Sequence, residues 1–292
     1  VEPTVELIRP LILRWAFLLL ISGAFTIFLV VPLFLGRFQE SGLIPDDHTP
    51  RRFLAGLGWG FGGVLFLVLV GLVTRETSLI LGASWKDIYP GLEIGSGTNL
   101  GNSLVLIGPL WAVGLFIAEQ SLFEELLFRT ILFAVPAMGT IRLGELFLRL
   151  VGGEGLRPAL WAASWGFWGV ASSLLFSAVH LGNPGARSEP LFLANVFLIA
   201  LALALAYRTF GGIYFPAGFH FAWNLAHVLL GMRLSGFPSG LPWHPVAVVV
   251  GEPKLISLSP MGLEGGMGAS MVGLGMIAWL VWQRKLGRHV GN

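Results

Sequence analysis

Cysteine is absent from the 292 residues. That excludes disulfides, thiolate metal sites and a cysteine nucleophile. Charge is scarce as well. Asp, Glu, Lys and Arg make up 12% of the chain, where an ordinary soluble domain carries about a quarter. There is no basic block and the formal net charge is only +2, so nothing marks the chain for nucleic acid. Internal repeats and low-complexity segments are also missing. A transporter built from two related halves would show the former.

What remains is apolar: 55% of residues are hydrophobic and the mean hydropathy is +0.78. This is the composition of an integral membrane protein. At about 20 residues per span the length suits one all-α polytopic bundle of about seven to eight transmembrane helices. Residues 1–292 read as a single membrane domain, with N-terminal spans and loops over 11–102, a core over 103–232 and a final loop and span over 233–292.

The first apolar run, 11–35, lacks a small-residue cleavage site and reads as a retained helix. The second span, Phe53–Val73, contains G-W-G-F-G-G, which suits close helix packing. Residues 74–101 have the polarity of a loop with an interfacial helix. From Asn102 to Val135 an apolar run carries Glu119, Glu124, Glu125 and Arg129. It is either one long helix or two joined between Gly114 and Glu119. Charges at Arg142, Glu145 and Arg149 predict an amphipathic interfacial helix over 142–157. Further spans are expected at Ala159–Leu181, Leu191–Tyr207, Ile213–Met232 and Ala269–Trp282, with a Gly/Pro-rich loop at 235–268. The basic tail Q-R-K-L-G-R-H puts the C-terminus in the cytoplasm by the positive-inside rule.

Ionisable residues inside a membrane face the bundle interior and mark function. Glu125 and Arg129 are four apart with the acid on the N-terminal side, the favourable order for an ion pair. Glu124 lies about 100° further round and has no obvious local partner, so the two carboxylates occupy different surroundings and suit different roles. Glu124 is the candidate general base and Glu125–Arg129 the pair that supports it. An ion-pair network joining helices is the competing account. Phe176 and His180 are also four apart, at the end of a helix closed by N-P. A dipole-satisfied surface histidine is the plainer reading there. His220 and Asn224 share one face of a third helix. They could aim two hydrogen bonds at one developing oxyanion, or serve as interhelical glue. Taken together, a base, a histidine and two donors are the parts needed to add water to an amide. His227 shares the face as a supporting group or marks the polar end of its helix.

The order E-E-x-x-x-R (124–129), F-x-x-x-H (176–180) and H-x-x-x-N (220–224) resembles the CPBP intramembrane proteases, the type II CAAX prenyl endopeptidases and their bacterial bacteriocin-processing and abortive-infection relatives. The resemblance covers about 103–232, and the stretch G-L-E-G-G around Glu264 looks like the tail of many bacterial members. It implies a water-filled intramembrane cavity and a glutamate mechanism without an obligatory metal. Carried over by position, Glu124 would activate water with help from His180, His220 and Asn224 would form the oxyanion hole, and Glu125, Arg129 and Phe176 would support them. The expected partners are the bilayer and a peptide or membrane-protein substrate, in a bacterial cytoplasmic membrane. Three other readings use some of the same residues. One Glu and two His could bind zinc as in a zinc-dependent intramembrane protease, although no H-E-x-x-H occurs. The chain could instead be a non-catalytic scaffold, chaperone or immunity protein of the same family, or a transporter or proton pathway.

Overall fold

A computed structural model describes residues 42–88, 106–107, 110–237, 239–240, 243–250 and 261–285. The expected first span at 11–35 and the end of the basic tail lie outside them. The described chain is mostly helical. Its helices are α1 (Thr49–Val73), α2 (Leu110–Glu125), α3 (Val135–Leu150), α4 (Arg157–Val179), α5 (Pro190–Phe210), α6 (Tyr214–Leu229) and α7 (Met267–Lys285). Among the described residues four helical stretches are long and apolar enough to cross a membrane: Thr49–Val73, Val113–Leu150, Glu154–Gly182 and Pro190–Phe210.

Local sequence explains the ends of these helices. Pro50, Pro158 and Pro190 sit in the first turns of α1, α4 and α5, where the missing N–H costs nothing. Gly211 closes α5 in the left-handed conformation at φ 72°. Between α2 and α3 the chain stays helical but winds wider. Leu126–Ala134 is a π segment, and the Val135 N–H reaches back five residues to the Thr130 carbonyl. Such segments gather at functional sites. The ladder is weak here anyway, because Pro136 has no N–H to give. The run is therefore unbroken helix from Leu110 to Leu150, with no joint between Gly114 and Glu119, but it does not reach back to Asn102, because Leu106–Ile107 is a strand. Its Val113–Leu150 part, at 38 residues, is roughly 57 Å long, beyond the ~30 Å hydrocarbon core.

Two expectations are corrected. The separate interfacial helix at 142–157 does not form. Residues up to Leu150 are the last turns of α3, with Leu143, Leu146 and Phe147 exposed, and the helix stops before Gly152 at φ 67°. The Trp161 indole donates to Glu145 at 2.9 Å and ties α4 to this end. Within 74–101 the described residues end at Ile88, and they are not a plain loop: Thr77–Ser84 form strand β1 and Trp85–Ile88 makes a helical turn, while 89–101 lie outside the described residues. After the two-residue β2 (Leu106–Ile107) and β3 (Ser239–Gly240), which pair in parallel, comes β4 (Trp243–Val250). It pairs antiparallel with β1, from Thr77 opposite Val250 to Ser84 opposite Trp243. The β-branched run V-A-V-V-V favours a strand. Its partner lies over 150 residues away, so local polarity could not reveal the ribbon.

Two packings of α6 place the site. Helix α1 lies along it with backbones nearly touching. A side chain at Gly56 would strike the Phe215 carbonyl, and one at Gly60 the Phe219 carbonyl. This G-x-x-x-G spacing is how small residues let membrane helices approach. Helix α2 runs antiparallel to α6 on another side. Glu125 meets His220, Ser121 meets Asn224, and Ile117 packs in one cluster with Val228. Each step along α2 is four residues one way, each step along α6 four the other, so one stripe of each helix faces its neighbour.

Candidate active site

Glu124 and Glu125 end α2 at the start of the π segment, and the two carboxylates part. Glu125 is fully buried. Its Oε2 takes the Arg129 Nε–H at 3.1 Å, with neither side chain exposed at all. The guanidinium of Arg129 also lies over the Phe176 ring, 5.2 Å from its centroid, a cation–π contact in dry surroundings. Its two terminal nitrogens have no hydrogen-bond partner among the described residues. The Glu124 side chain is 19% exposed and faces a cavity of about 310 Å³. That is the lower end of the range for small-ligand sites.

His220 stands between the carboxylates. Its Nδ1 is 2.9 Å from Glu125 Oε1, and its Nε2 is 3.6 Å from Glu124 Oε2. With Glu125 paired to Arg129 the Nδ1–H donates to Glu125, which directs Nε2 toward Glu124. A bridge to both acids goes beyond what the one-face argument for His220 and Asn224 contained. Glu124 also has a local partner after all: the Gln120 amide donates to its Oε1 at 3.1 Å. The signal was in the sequence, since Gln120 is four residues before Glu124.

Asn224, one turn beyond His220, sends its amide toward Ser121 Oγ at 3.4 Å. This is longer than a good hydrogen bond, so the amide keeps donor capacity at the cavity wall it helps to form. His180 sits in the single 3₁₀ turn (His180–Gly182) that ends α4. Its Nδ1–H donates to the Phe176 carbonyl at 2.7 Å, and its ring lies 4.6 Å from the Phe176 ring. The Nε2 is left for the cavity, which His180 lines together with Glu124, His220 and Asn224. Phe176 meets His180, His220 and Arg129 at once. That explains an aromatic at this position better than the four-residue spacing alone.

Every residue singled out from the three sequence patterns thus comes to one place, on α2, the π segment, α4 with its terminal turn, and α6. Three polar positions fall elsewhere or were not assigned. Glu119 is half-buried on α2 and is not part of the cavity wall. His227 is buried behind the cavity, with Nδ1 on the Trp223 carbonyl. Glu264 does line the cavity. A glycine-rich loop has no periodicity that would place Glu264 there. Among the described residues no group of three or more His, Asp or Glu side chains is arranged to hold a metal ion.

An apolar helical bundle that gathers two acids, two histidines and an amide around one cavity defines a polytopic membrane protein with a polar site among its helices. Residues 106–226 match the family described as type II CAAX prenyl endopeptidase Rce1-like, a match that supports CPBP family membership and, at family level, a CAAX-type intramembrane protease. No curated protein gives a significant match to the chain, and no solved structure does.

Proposed function

We propose that the protein is an intramembrane endopeptidase in which Glu124 activates water for attack on a peptide bond. The observation that carries this reading is the meeting of Glu124, His180, His220 and Asn224 on one 310 Å³ cavity while Glu125 is locked away on Arg129. Of the two acids only Glu124 can touch a water or a substrate there.

In this scheme a water between Glu124 and His180 loses a proton to the Glu124 carboxylate, and its oxygen bonds to the scissile carbonyl carbon. The carbonyl π electrons move onto oxygen. With His220 held as the imidazolium between the two carboxylates, that oxyanion takes hydrogen bonds from the Asn224 amide and from the His220 Nε2–H, donors that strengthen as charge develops. When the C–N bond breaks, the electron pair leaves on nitrogen, and the proton held by Glu124 goes to the departing amine. Glu125 accepts from His220 Nδ1 and so fixes the ring, and Arg129 with Phe176 fixes Glu125. The scheme needs no metal. The substrate is a peptide or membrane-protein segment entering from the bilayer, and the setting is a bacterial cytoplasmic membrane with the C-terminus in the cytoplasm.

The test is cleavage of a mixed peptide pool by purified protein in nanodiscs, followed by mass spectrometry, for wild type and Glu124→Gln. The substitution keeps size and removes the base. Equal cleavage by both, or none by wild type, sinks the proposal.

A further inference from the structure

Glu264 stands in the short turn Leu263–Gly265 ahead of α7, and it is 8% exposed. A carboxylate so deep in an apolar bundle needs strong reasons to stay there. It has three donors. Oε1 accepts the Trp223 indole N–H at 2.8 Å. Oε2 accepts the Ser235 backbone N–H at 2.6 Å and the Ser235 hydroxyl at 3.2 Å. The turn that carries Glu264 is itself clamped. The Asn195 amide, on α5, donates to the carbonyls of Glu264 and Gly266, both at 2.8 Å, and its oxygen accepts from Ser270 on α7.

The far end of these bonds is a tight reverse turn. Leu234 and Phe237 exchange both backbone hydrogen bonds, at 3.0 and 2.9 Å. Between them Ser235 has φ 50° and Gly236 φ 87°, the double left-handed geometry of the tightest hairpin turns. Glycine takes that conformation freely, whereas serine rarely does. The Glu264 carboxylate holds Ser235 there through both its N–H and its hydroxyl. Leu234, Ser235 and Phe237 all line the cavity that holds Glu124, and across it α5 contributes Val196, Ile199 and Leu203. The cavity is thus lined by Glu124 with the two histidines and also by apolar side chains from the turn and from α5.

We propose that Glu264 is a positioning residue for substrate selection: it pins the Leu234–Phe237 turn against the cavity, and that turn with α5 forms a subsite for an aliphatic or aromatic substrate side chain beside the scissile bond. The inference rests on the endopeptidase reading. Neither Glu264 nor the turn takes part in the proton transfers, so their effect falls on which peptide binds and how well. Glutamine at 264 has one acceptor oxygen where glutamate has two, so it must release either Trp223 or Ser235.

The experiment uses full-length protein in nanodiscs and internally quenched peptides that differ only in one residue flanking the bond cut by wild type: Leu, Phe, Ala or Asp. Wild type should favour Leu and Phe over Ala by at least ~10-fold in kcat/KM, as filling an apolar pocket typically does. Phe237→Ala and Glu264→Gln should each reduce that preference to below ~3-fold, with the change in KM rather than kcat. Unchanged preference in both variants overturns the subsite. If Glu264→Gln fails to fold, Phe237→Ala decides alone. The Glu124→Gln control separates the two failures: cleavage that survives it defeats the protease reading itself, and the subsite with it, whereas Glu124-dependent cleavage with wild-type selectivity in the turn variants defeats only the subsite.

Discussion

His220 reaches across from α6 to α2 and bonds Glu125 at 2.9 Å, joining residues 95 apart in sequence. The same ring presents Nε2 to Glu124 at 3.6 Å. One imidazole therefore couples the acid that is locked to the acid that faces the cavity. In a coupled group, single substitutions are not additive. His220→Ala and Glu125→Gln should each remove most peptide cleavage, and the double variant should be little worse than either. Rate measurements on the three variants check this, and losses that multiply would show that His220 and Glu125 act separately.

Removing Arg129 leaves the fully buried Glu125 without its cation. Breaking a buried pair from one side costs about 3–5 kcal/mol. Arg129→Ala should therefore lower folded yield as well as activity, seen as earlier melting in detergent and a reduced monodisperse peak. A variant with wild-type yield and melting would contradict the pairing as a structural necessity.

Asn224→Ala should behave differently. Among the described residues the Asn224 side chain makes only the long hydrogen bond to Ser121, so folded yield should hold. The loss should fall on rate, by about 10²–10³, the usual effect of one oxyanion donor. Glu124→Ala and His180→Ala should come close to abolishing cleavage altogether. A loss below tenfold for Asn224→Ala would remove it from the oxyanion hole.

Metal dependence has its own test. A chelator in excess should leave the peptide-cleavage rate unchanged, and metal analysis of active protein should find no stoichiometric zinc. Reversible loss of activity on chelation would favour the zinc-dependent alternative over glutamate-activated water.

Gly60 tests the scaffold rather than the chemistry. Its α-carbon faces the Phe219 carbonyl so closely that a side chain would force α1 away from α6. Gly60→Leu should destabilise by about 1–3 kcal/mol, as overpacking does, and should shift His220, which follows Phe219. Gly58, with open space around its α-carbon, is the control: Gly58→Leu should melt as wild type does. Equal melting of both variants would show that the close approach is not needed.

The membrane class, most of the spans and the gathering of Glu124, Glu125, Arg129, Phe176, His180, His220 and Asn224 were legible in the amino-acid order. Hydrocarbon penalises charge so heavily that a few ionisable residues in apolar helices must find each other, and four-residue spacing shows which share a face. The pairing of Glu125 with Arg129 is of this local kind. Four things were decided only by tertiary structure: His220 bonding Glu125 while its Nε2 faces Glu124, Phe176 under the Arg129 guanidinium, strand Thr77–Ser84 pairing with Trp243–Val250, and Glu264 entering the cavity wall. Each joins segments tens to more than a hundred residues apart. Periodicity reports which face of a helix is apolar. It does not report which neighbour that face meets, because that depends on how closely glycines such as Gly56 and Gly60 let the backbones approach.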